Sequence, residues 1–412
     1  MKPRDYPIEL PEPRQFVAIR KMLPVSAIAS VERCPVPMMV GAPKEPDILA
    51  PSVLAILGTV IHHVKGLWRT RGVDMPFSGR DAVDAIELLY ERALTEAHDI
   101  LVSDPTIAPL VPLSKAIEYS EYEARLDAMR RWACEGVDRR DVEKGVDPLD
   151  LRLFFKPKDT CLENTLETGI EPWLVAKELR LVGRPDLLVK HDDGSYEIVD
   201  DKTGHALFRG KVKEHYAMQL MLYALMVETW EGEEKSIDLK IVGEHSHTVD
   251  WDQKSREKAR ELAKTVGSRF PDGKKHPVDK IARPGISCHR CRLRVRCEQY
   301  RKAAERWWGG HEEAPDYIPY DTWGVVRRAN PRVGLTDLEL EDPAGRTIKV
   351  KRVRQEHGLP PNIVGKRVRF FGLEPAQDTI LHSRRLLPTS WFEVSNTRNK
   401  RDALMTRVFI EA

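Results

Sequence analysis

A short stretch near the middle of the chain, residues 178–204, constrains the fold more than any other part of the sequence. Two β-prone segments, 186–190 and 196–202, flank the tetrapeptide His-Asp-Asp-Gly. Asp-Asp-Gly between such segments is typical of a β-hairpin turn, in which Gly194 takes a positive φ. The sequence therefore predicts a two-stranded hairpin at the centre of an α/β domain.

The predicted hairpin carries acidic and basic side chains in a regular order. Because successive side chains point to opposite faces of a strand, Asp200 and Lys202 share one face and Asp201 lies on the other. Asp186 begins the partner strand, close enough to join them. Two converging carboxylates suit a hard divalent cation, and a lysine beside them can orient water or stabilise negative charge. The alternative is a surface hairpin with a solvated salt bridge.

Length and composition allow two or three domains and exclude few functions. The chain has 412 residues, and its formal net charge of +2 indicates no particular partner. No apolar run is long enough to span a bilayer, and the proline-rich start with Asp5 and Glu9 does not resemble a signal peptide. We therefore expect a soluble cytoplasmic protein with no membrane partner. Cysteines there stay reduced, so grouped cysteines indicate a metal site.

Residues 51–68 are predicted to form a helix that carries a candidate metal ligand. Leu54, Leu57, Ile61, Val64 and Trp68 form its apolar stripe, and Gly58 and His62 stand one turn apart on the adjacent strip. A lone histidine on a helix is usually structural. The acidic hairpin downstream makes His62 a candidate ligand, whereas His63 is interpreted as structural.

Three cysteines near residue 290 give the strongest metal signal. Cys288, Cys291 and Cys297 are separated by two and five residues. Their metal is left open by spacing alone, since zinc with Cys34 or His289 as a fourth ligand is possible. Cys134 and Cys161 have no partner at metal spacing and are interpreted as packing residues. The same stretch is rich in basic residues that are either a solvated face or phosphate-binding groups: Arg290, Arg292, Arg294, Arg296, Arg301, Lys302 and Arg306.

Further elements surround the hairpin. Helices are predicted at 81–101, 114–136, 212–230 and 255–269, and strands at 237–242 and 247–251. Gln219 and Tyr223 lie one turn apart on one helix face. Glu178 is predicted to lie on a strand of its own before the hairpin, either as a solvated charge or near the metal.

The last ninety residues have a different pattern. Residues 309–321 have the composition of a linker, and strands are predicted at 322–327, 335–341, 347–353, 367–373 and 380–387. Five short strands suit a small β-barrel of the OB type, which binds single strands by stacking bases on aromatics above a basic groove. Trp323 and Phe371 are candidates for stacking or, alternatively, core residues.

The order of these motifs resembles the PD-(D/E)XK nuclease superfamily, in particular its RecB-like and Cas4-like branch. The motifs that carry the resemblance are, in chain order, Cys34, Gly58 with His62, Asp186, Asp200 with Lys202, Gln219 with Tyr223, and Cys288, Cys291 and Cys297. The resemblance implies a restriction-endonuclease-like α/β core, a central mixed sheet flanked by helices. We expect this nuclease domain at 1–308 with a helical insertion at about 78–165, the linker at 309–321 and the OB-like barrel at 322–412.

The resemblance also implies an activity and its residues. The expected enzyme is a Mg²⁺- or Mn²⁺-dependent deoxyribonuclease, an exonuclease rather than an endonuclease, acting on single-stranded or end-containing DNA in repair, recombination or defence against mobile DNA. His62, Asp186 and Asp200, with the backbone carbonyl of Asp201, would hold the metal, and Lys202 would orient water. Gln219 and Tyr223 would contact DNA and brace the site.

The cysteines and partners follow from the same resemblance. Cys34, Cys288, Cys291 and Cys297 would hold a [4Fe–4S] cluster. The chain contains no phosphate-loop motif, so a helicase would be a separate partner. The alternative is an inactive nuclease fold that binds nucleic acid and keeps a structural iron–sulfur or zinc site.

Overall fold

The structure is a computed structural model of the 412-residue chain. It describes residues 12–13, 16–18, 21–28, 34–36, 53–70, 80–102, 126–127, 129–131, 164–202, 206–243, 245–269, 275–285, 287–288, 291, 293–308, 312, 320–354, 359–375, 391–395 and 407–411. The described elements form an α/β arrangement of several sheets and helices, which confirms the predicted α/β class.

The described helices are α1 (Val25–Ile28), α2 (Val53–Thr70), α3 (Arg80–Val102), α4 (Glu214–Glu231), α5 (Gln253–Arg269), α6 (Val278–Ile281) and α7 (Glu298–Trp308). The described strands are β1 (Phe16–Ala18), β2 (Leu23–Pro24), β3 (Thr165–Leu166), β4 (Gly169–Ile170), β5 (Leu174–Ala176), β6 (Leu181–Gly183), β7 (Leu187–Lys190), β8 (Tyr196–Asp201), β9 (Leu207–Phe208), β10 (Lys211–Val212), β11 (Ile237–Val242), β12 (Ser246–Val249), β13 (Lys275–Pro277), β14 (Tyr320–Arg332), β15 (Leu335–Glu341), β16 (Thr347–Arg354), β17 (Arg367–Pro375), β18 (Trp391–Ser395) and β19 (Arg407–Ile410). Among the described residues, no helix is both long and apolar enough to cross a membrane.

A five-stranded mixed sheet with the order β12-β11-β8-β7-β4 contains the predicted hairpin. Strands β7 and β8 pair antiparallel with Lys190 opposite Tyr196, and Gly194 in the turn has φ +81°. Strand β8 pairs parallel with β11 on its other side. All six residues of β8 are buried. The acidic side chains at its end are therefore held by a strand that solvent does not reach.

Helices cover this sheet and bring the histidine to it. Helix α4 contacts β8 and β11, and it is apolar on most of its surface because α5 packs against it in turn. Helices α2 and α3 pack against each other through residues such as Leu57 and Ile86. Helix α2 also reaches the sheet, since it contacts β4. This contact places His62 at the sheet edge that carries the start of β7.

The glycine before the hairpin permits a close approach to α4. A Cβ atom added at Gly183 would lie 2.5 Å from Cε1 of the buried Tyr223 ring. We expect Gly183→Ala to lower the free energy of unfolding by about 1–3 kcal/mol, because the ring cannot move without disturbing a packed core. Gly267→Ala is the matched control, since its Cβ would meet open space on helix α5. Equal unfolding midpoints for the two variants would contradict this packing.

The C-terminal strands pair in a sequence that returns to its start. Strands β14, β15 and β16 form an antiparallel meander, β16 pairs parallel with β18, β18 pairs antiparallel with β17, and β17 pairs antiparallel with β14. Strand β19 adds to the outer side of β17. The predicted strand at 380–387 lies outside the described residues, and β18 is the strand that lies between β16 and β17.

Several predictions about single elements are corrected here. Glu178 is an exposed residue of the turn before β6 and not part of a strand, so its interpretation near the metal was wrong. Trp323 and Phe371 are buried core residues, which removes both as base-stacking platforms. Strand β14 begins at Tyr320, two residues before the start of the predicted strand at 322–327. Of the helix predicted at 114–136, only residues 126–127 and 129–131 are described, and they are helical.

Candidate active site

Asp186 joins the histidine helix to the hairpin. His62 Nδ1 on α2 lies 2.8 Å from Asp186 Oδ1. The other carboxylate oxygen, Asp186 Oδ2, accepts a hydrogen bond from the backbone N–H of Asp201 at the end of β8. In the chain, Asp186 is 124 positions from His62 and 15 positions from Asp201. The fold therefore brings His62, Asp186 and the end of β8 into one neighbourhood.

Asp200 and Lys202 form the other half of the site. Lys202 Nζ contacts Asp200 Oδ2 in a salt bridge, and both side chains are largely buried. Lys202 Nζ also lies 4.6 Å from the centre of the Tyr216 ring on α4. The predicted carboxylate–ammonium pair is present, and its burial excludes the alternative of a solvated surface hairpin.

Gln219 and Tyr223 connect the two halves. Gln219 Nε2 donates to Asp200 Oδ1 at 3.3 Å and lies 3.4 Å from the Tyr223 hydroxyl. The Tyr223 hydroxyl donates to the backbone carbonyl of Arg184, two residues before Asp186, at 3.1 Å. One turn of α4 therefore fixes the position of both aspartates relative to each other.

The two aspartates lie close enough for the charge of Asp186 to affect the pKa of Asp200. Burial raises the pKa of Asp200 to about 7, with Lys202 opposing this rise and the charge of Asp186 adding to it. Burial also opposes the charged form of Asp186, but the ion pair and hydrogen bond with His62 prevail and hold the pKa of Asp186 below its usual range. The same pair raises the pKa of His62 against the effect of its burial. A cation between the carboxylates would relieve their repulsion.

The residue types fit a hard divalent cation, although their contacts are satisfied among themselves. Within the described part of the chain, no group of three or more His, Cys, Asp or Glu side chains is preassembled around a metal position. Asp186 instead contacts His62 and the Asp201 amide, and Asp200 contacts Lys202. Two carboxylates and an imidazole at one place are nevertheless ligands that Mg²⁺ and Mn²⁺ accept. The donor set therefore fits the metal that a phosphodiester-cleaving site requires.

A comparison with protein families decides whether the hairpin belongs to an enzyme scaffold or is unrelated to one. The model of the family described as the PD-(D/E)XK nuclease superfamily matches residues 25–298. The chain belongs to the PD-(D/E)XK nuclease superfamily. The match contains the candidate site and all four cysteines of interest. Members of this superfamily are typically metal-dependent nucleases, so the family indicates nuclease activity on DNA. No curated protein matches the chain.

Glu171 is a neighbour of the nuclease site that the sequence did not reveal. Its backbone N–H donates to the Asp186 carbonyl at 3.1 Å, and its carboxylate accepts from Arg184 Nη2 at 2.8 Å. Burial raises the pKa of Glu171 to about 7, with Arg184 opposing and Asp186 adding to the rise. Glu171 reaches the site because strand β4 pairs with β7, with Ile170 opposite Leu187. A strand of two residues is too short for this pairing to be predicted from the sequence.

A buried lysine holds the histidine helix against the hairpin. Lys65 Nζ lies 3.7 Å from Asp201 Oδ1, and both side chains are buried. Lys65 stands three residues after His62 and so lies on the same side of α2. The pair fixes the helix to the nuclease strand β8 next to the candidate ligand.

The cysteines of the nuclease domain converge although they are distant in sequence. Cys34, Cys288, Cys291 and Cys297 line one small pocket, together with Tyr300. All four are free thiols. Cys34 Sγ accepts from the backbone N–H of Arg283 at 3.5 Å, and Cys288 Sγ accepts from that of Gly285 at 3.4 Å. Burial raises the pKa of Cys288 to about 12, so its proton would leave only when a metal binds.

The basic stretch around the cysteines contains both a buried ion pair and exposed surface pairs. Arg294 is buried and pairs with Asp321 at 3.0 Å, Arg301 donates to the Val295 carbonyl, and Lys302 pairs with Glu298. The prediction that Arg294 binds phosphate was therefore wrong, because a buried guanidinium needs a buried carboxylate. Arg290 and Arg292 lie outside the described residues.

The amide of Gln219 should matter for the nuclease even though it does not titrate. We expect Gln219→Leu to lower kcat for DNA cleavage by about 10- to 100-fold, because Asp200 loses the hydrogen bond that orients it. Gln253→Leu is the control, since Gln253 is an exposed residue of α5 whose side chain donates to Glu257 on the same helix. Steady-state rates on labelled DNA measure both. Equal rates for the two variants would contradict an orienting role.

Proposed function

We propose that this superfamily member is a Mg²⁺- or Mn²⁺-dependent deoxyribonuclease of the RecB-like and Cas4-like branch. The observation that carries the proposal is the convergence of His62, Asp186, Asp200 and Lys202 at the edge of one buried strand. Each residue type has a place in metal-dependent phosphodiester hydrolysis, and the site is buried enough to strengthen the electrostatic contributions.

The residues divide the chemistry among them. His62, Asp186 and Asp200, with the Asp201 backbone carbonyl, would hold the cation, which supplies an acidified water and neutralises charge on the scissile phosphate. Lys202 would orient the attacking water and stabilise the negative charge that develops on phosphorus oxygens. Gln219 and Tyr223 would keep Asp200 and the segment before Asp186 in position. Tyr223 stays neutral, because burial raises its pKa well above neutrality.

The C-terminal strands support a DNA-binding role for the second domain. Their pairing order, β14-β15-β16-β18-β17 and back to β14, supports a small OB-like barrel. Arg328, Lys366 and Arg367 are exposed on it, whereas its candidate aromatics are buried. We therefore propose that this domain binds the phosphate backbone of single-stranded or end-containing DNA, without base stacking by Trp323 or Phe371. Such binding supports an exonuclease rather than an endonuclease.

The cysteine pocket supports a bound [4Fe–4S] cluster. Four thiols from residues 34 to 297 line one pocket, and four thiolates are the ligand set of such a cluster, so the described side chains would close around it on binding rather than being preassembled. The cluster would join the first helix region to the segment after α6 and close the nuclease domain. Its role would be structural, since the pocket is lined by a different set of residues from the cavity beside Asp186.

Degradation of end-labelled DNA tests the nuclease proposal. We expect the purified protein to shorten labelled single-stranded DNA with Mg²⁺ or Mn²⁺ and to lose this activity with a chelator. Labels at the 5′ and the 3′ end separate exonucleolytic from internal cleavage. Binding without any cleavage under both metals would instead support an inactive nuclease fold that binds nucleic acid.

Metal analysis tests the cysteine proposal independently of cleavage. We expect about four iron and four sulfide per chain and a brown preparation with visible absorbance. Cys291→Ser should lose the iron, whereas Cys161→Ser should keep it. A colourless protein with one zinc per chain would overturn the cluster and leave a zinc site.

A further inference from the structure

A cavity of about 240 Å³ opens beside the candidate metal ligands. Its lining includes His62 and Asp186 together with Thr59, Glu171 and Arg184. Asp200 and Lys202 are not among the described residues that line it. The cavity is therefore lined by residues on the Asp186 side of the candidate site and not by the lysine that would face the attacking water.

Arg184 is held rigidly at this cavity. Its Nε donates to the Glu171 carbonyl at 2.9 Å, and its Nη2 donates to the Glu171 carboxylate at 2.8 Å. The guanidinium also stacks over the Trp173 ring, with Cζ 5.2 Å from the ring centre. Three contacts from two residues fix the plane of the guanidinium before any ligand arrives. Such preorganisation lowers the entropic cost of binding an anion.

The charges of the cavity favour an anion only when a cation is bound. Glu171 pairs with Arg184, and Asp186 pairs with His62. A divalent cation held by Asp186 and Asp200 would add positive charge at one end of the cavity. The guanidinium of Arg184 and the hydroxyl of Thr59 then stand at a place where a phosphate of the same DNA strand would be attracted.

We propose that Arg184, assisted by Thr59, binds the DNA phosphate next to the scissile one, on the side away from Lys202. This inference rests on the proposed nuclease function and deepens it, because it defines the substrate as a strand with a charged phosphate at the neighbouring position. Arg184 is a binding residue that touches substrate, whereas Glu171 and Trp173 are positioning residues for its guanidinium.

A coupling experiment between protein and DNA tests the proposal. Single-stranded oligonucleotides carry one neutral methylphosphonate at a time, at each position around the first cleaved bond, and kcat/KM is measured for the wild type and Arg184→Gln. We expect one position next to the cleaved bond at which the neutral group slows the wild type by about 10- to 100-fold. Arg184→Gln should be slowed by a similar factor on normal DNA, with little further loss at that position.

Controls distinguish a phosphate contact from a structural role. Arg260→Gln is matched, because Arg260 also pairs with a glutamate but lies on helix α5. It should show the wild-type pattern, with the full methylphosphonate penalty at that one position. If Arg184→Gln does not fold, Thr59→Val keeps the Arg184–Glu171 pair and should reduce the penalty at the same position. The proposal is overturned if, in folded Arg184→Gln or Thr59→Val protein, the loss caused by the substitution and the loss caused by the methylphosphonate multiply at every position.

The outcome also separates this proposal from the nuclease assignment. If the wild type cleaves no DNA, the nuclease function fails by itself. The same set of oligonucleotides is then measured by fluorescence anisotropy with Mn²⁺ present. A position-specific loss of affinity shared by methylphosphonate and Arg184→Gln would still support the phosphate contact, and independent losses would overturn it.

Discussion

Asp186→Asn should abolish DNA cleavage, with a loss of at least about 10³-fold in kcat, because several kcal/mol of metal-dependent stabilisation disappear. The change keeps the size of the side chain but removes the charge that His62 and the candidate cation require. The Asp201 N–H then faces either the amide nitrogen, which cannot accept its hydrogen bond, or the amide oxygen, which can. Rates are measured on end-labelled single-stranded DNA with Mn²⁺ in excess.

Asp192→Asn is the control for this prediction. It is the same chemical change on the same hairpin, but Asp192 is exposed in the turn between β7 and β8. We expect wild-type cleavage from it and DNA binding from both variants. Full activity in pure, folded Asp186→Asn protein would remove Asp186 from the catalytic site and with it the proposed mechanism.

Asp321→Ala should have the largest effect on stability. Asp321 is buried, accepts from Arg294 Nε at 3.0 Å and from the Gly372 N–H at 2.7 Å, and also accepts from the Tyr300 hydroxyl. Its removal leaves the buried Arg294 guanidinium without its carboxylate. We expect a loss of about 3–5 kcal/mol in the free energy of unfolding, the usual effect of breaking a buried pair on one side. Urea denaturation followed by fluorescence measures it.

Two further variants show whether burial is the cause. Glu341→Gln removes the partner of Arg327 in an exposed pair and should leave the unfolding midpoint almost unchanged. The double change Arg294→Met with Asp321→Leu should recover only part of the lost stability, because apolar groups replace both charges but the Tyr300 hydroxyl and the Gly372 N–H still lose their acceptor. A midpoint for Asp321→Ala equal to that of Glu341→Gln would contradict the role of this pair.

The Asp321 network also connects the cysteine segment to the C-terminal sheet. Arg294 lies between Cys291 and Cys297, and its Nη1 lies 3.5 Å from the Cys288 carbonyl. Asp321 belongs to the first strand of the C-terminal sheet. The cysteine segment and that sheet therefore share one buried ion pair. Loss of the proposed cluster would disturb this contact, so the cysteine segment and the C-terminal sheet are expected to lose stability together.

The central hairpin could be predicted because its signals are local. Gly194 takes the positive φ that the Asp-Asp-Gly turn requires, and the alternation along β8 separates Ile198 in the main core from Val199 on the other face. The helix around His62 followed from its apolar stripe in the same way. The roles of these side chains in catalysis stay predictions, although the fold brings the side chains together.

The parts that could not be predicted depend on contacts between distant segments. Glu171 reaches the site through a two-residue strand and a positive φ of 46°, neither of which has a sequence signal. Arg294 has the same appearance in the sequence as the basic residues around it, and only the position of Asp321 makes it a buried residue. Trp323 stands between Thr322 and Gly324, and Phe371 between Phe370 and Gly372, so no alternation of polar and apolar residues showed that they would be buried. In each case the missing information was tertiary.

Titration calorimetry with Mn²⁺ tests the central claim, that His62, Asp186 and Asp200 form one cation site. The protein is used with its cysteine site in the state in which it is purified, so that only the nuclease site responds. The account predicts one Mn²⁺ bound per chain by the wild type and by Asp192→Asn, and none by Asp186→Asn or Asp200→Asn in the same concentration range. Unchanged Mn²⁺ binding by folded Asp186→Asn and Asp200→Asn proteins would contradict it.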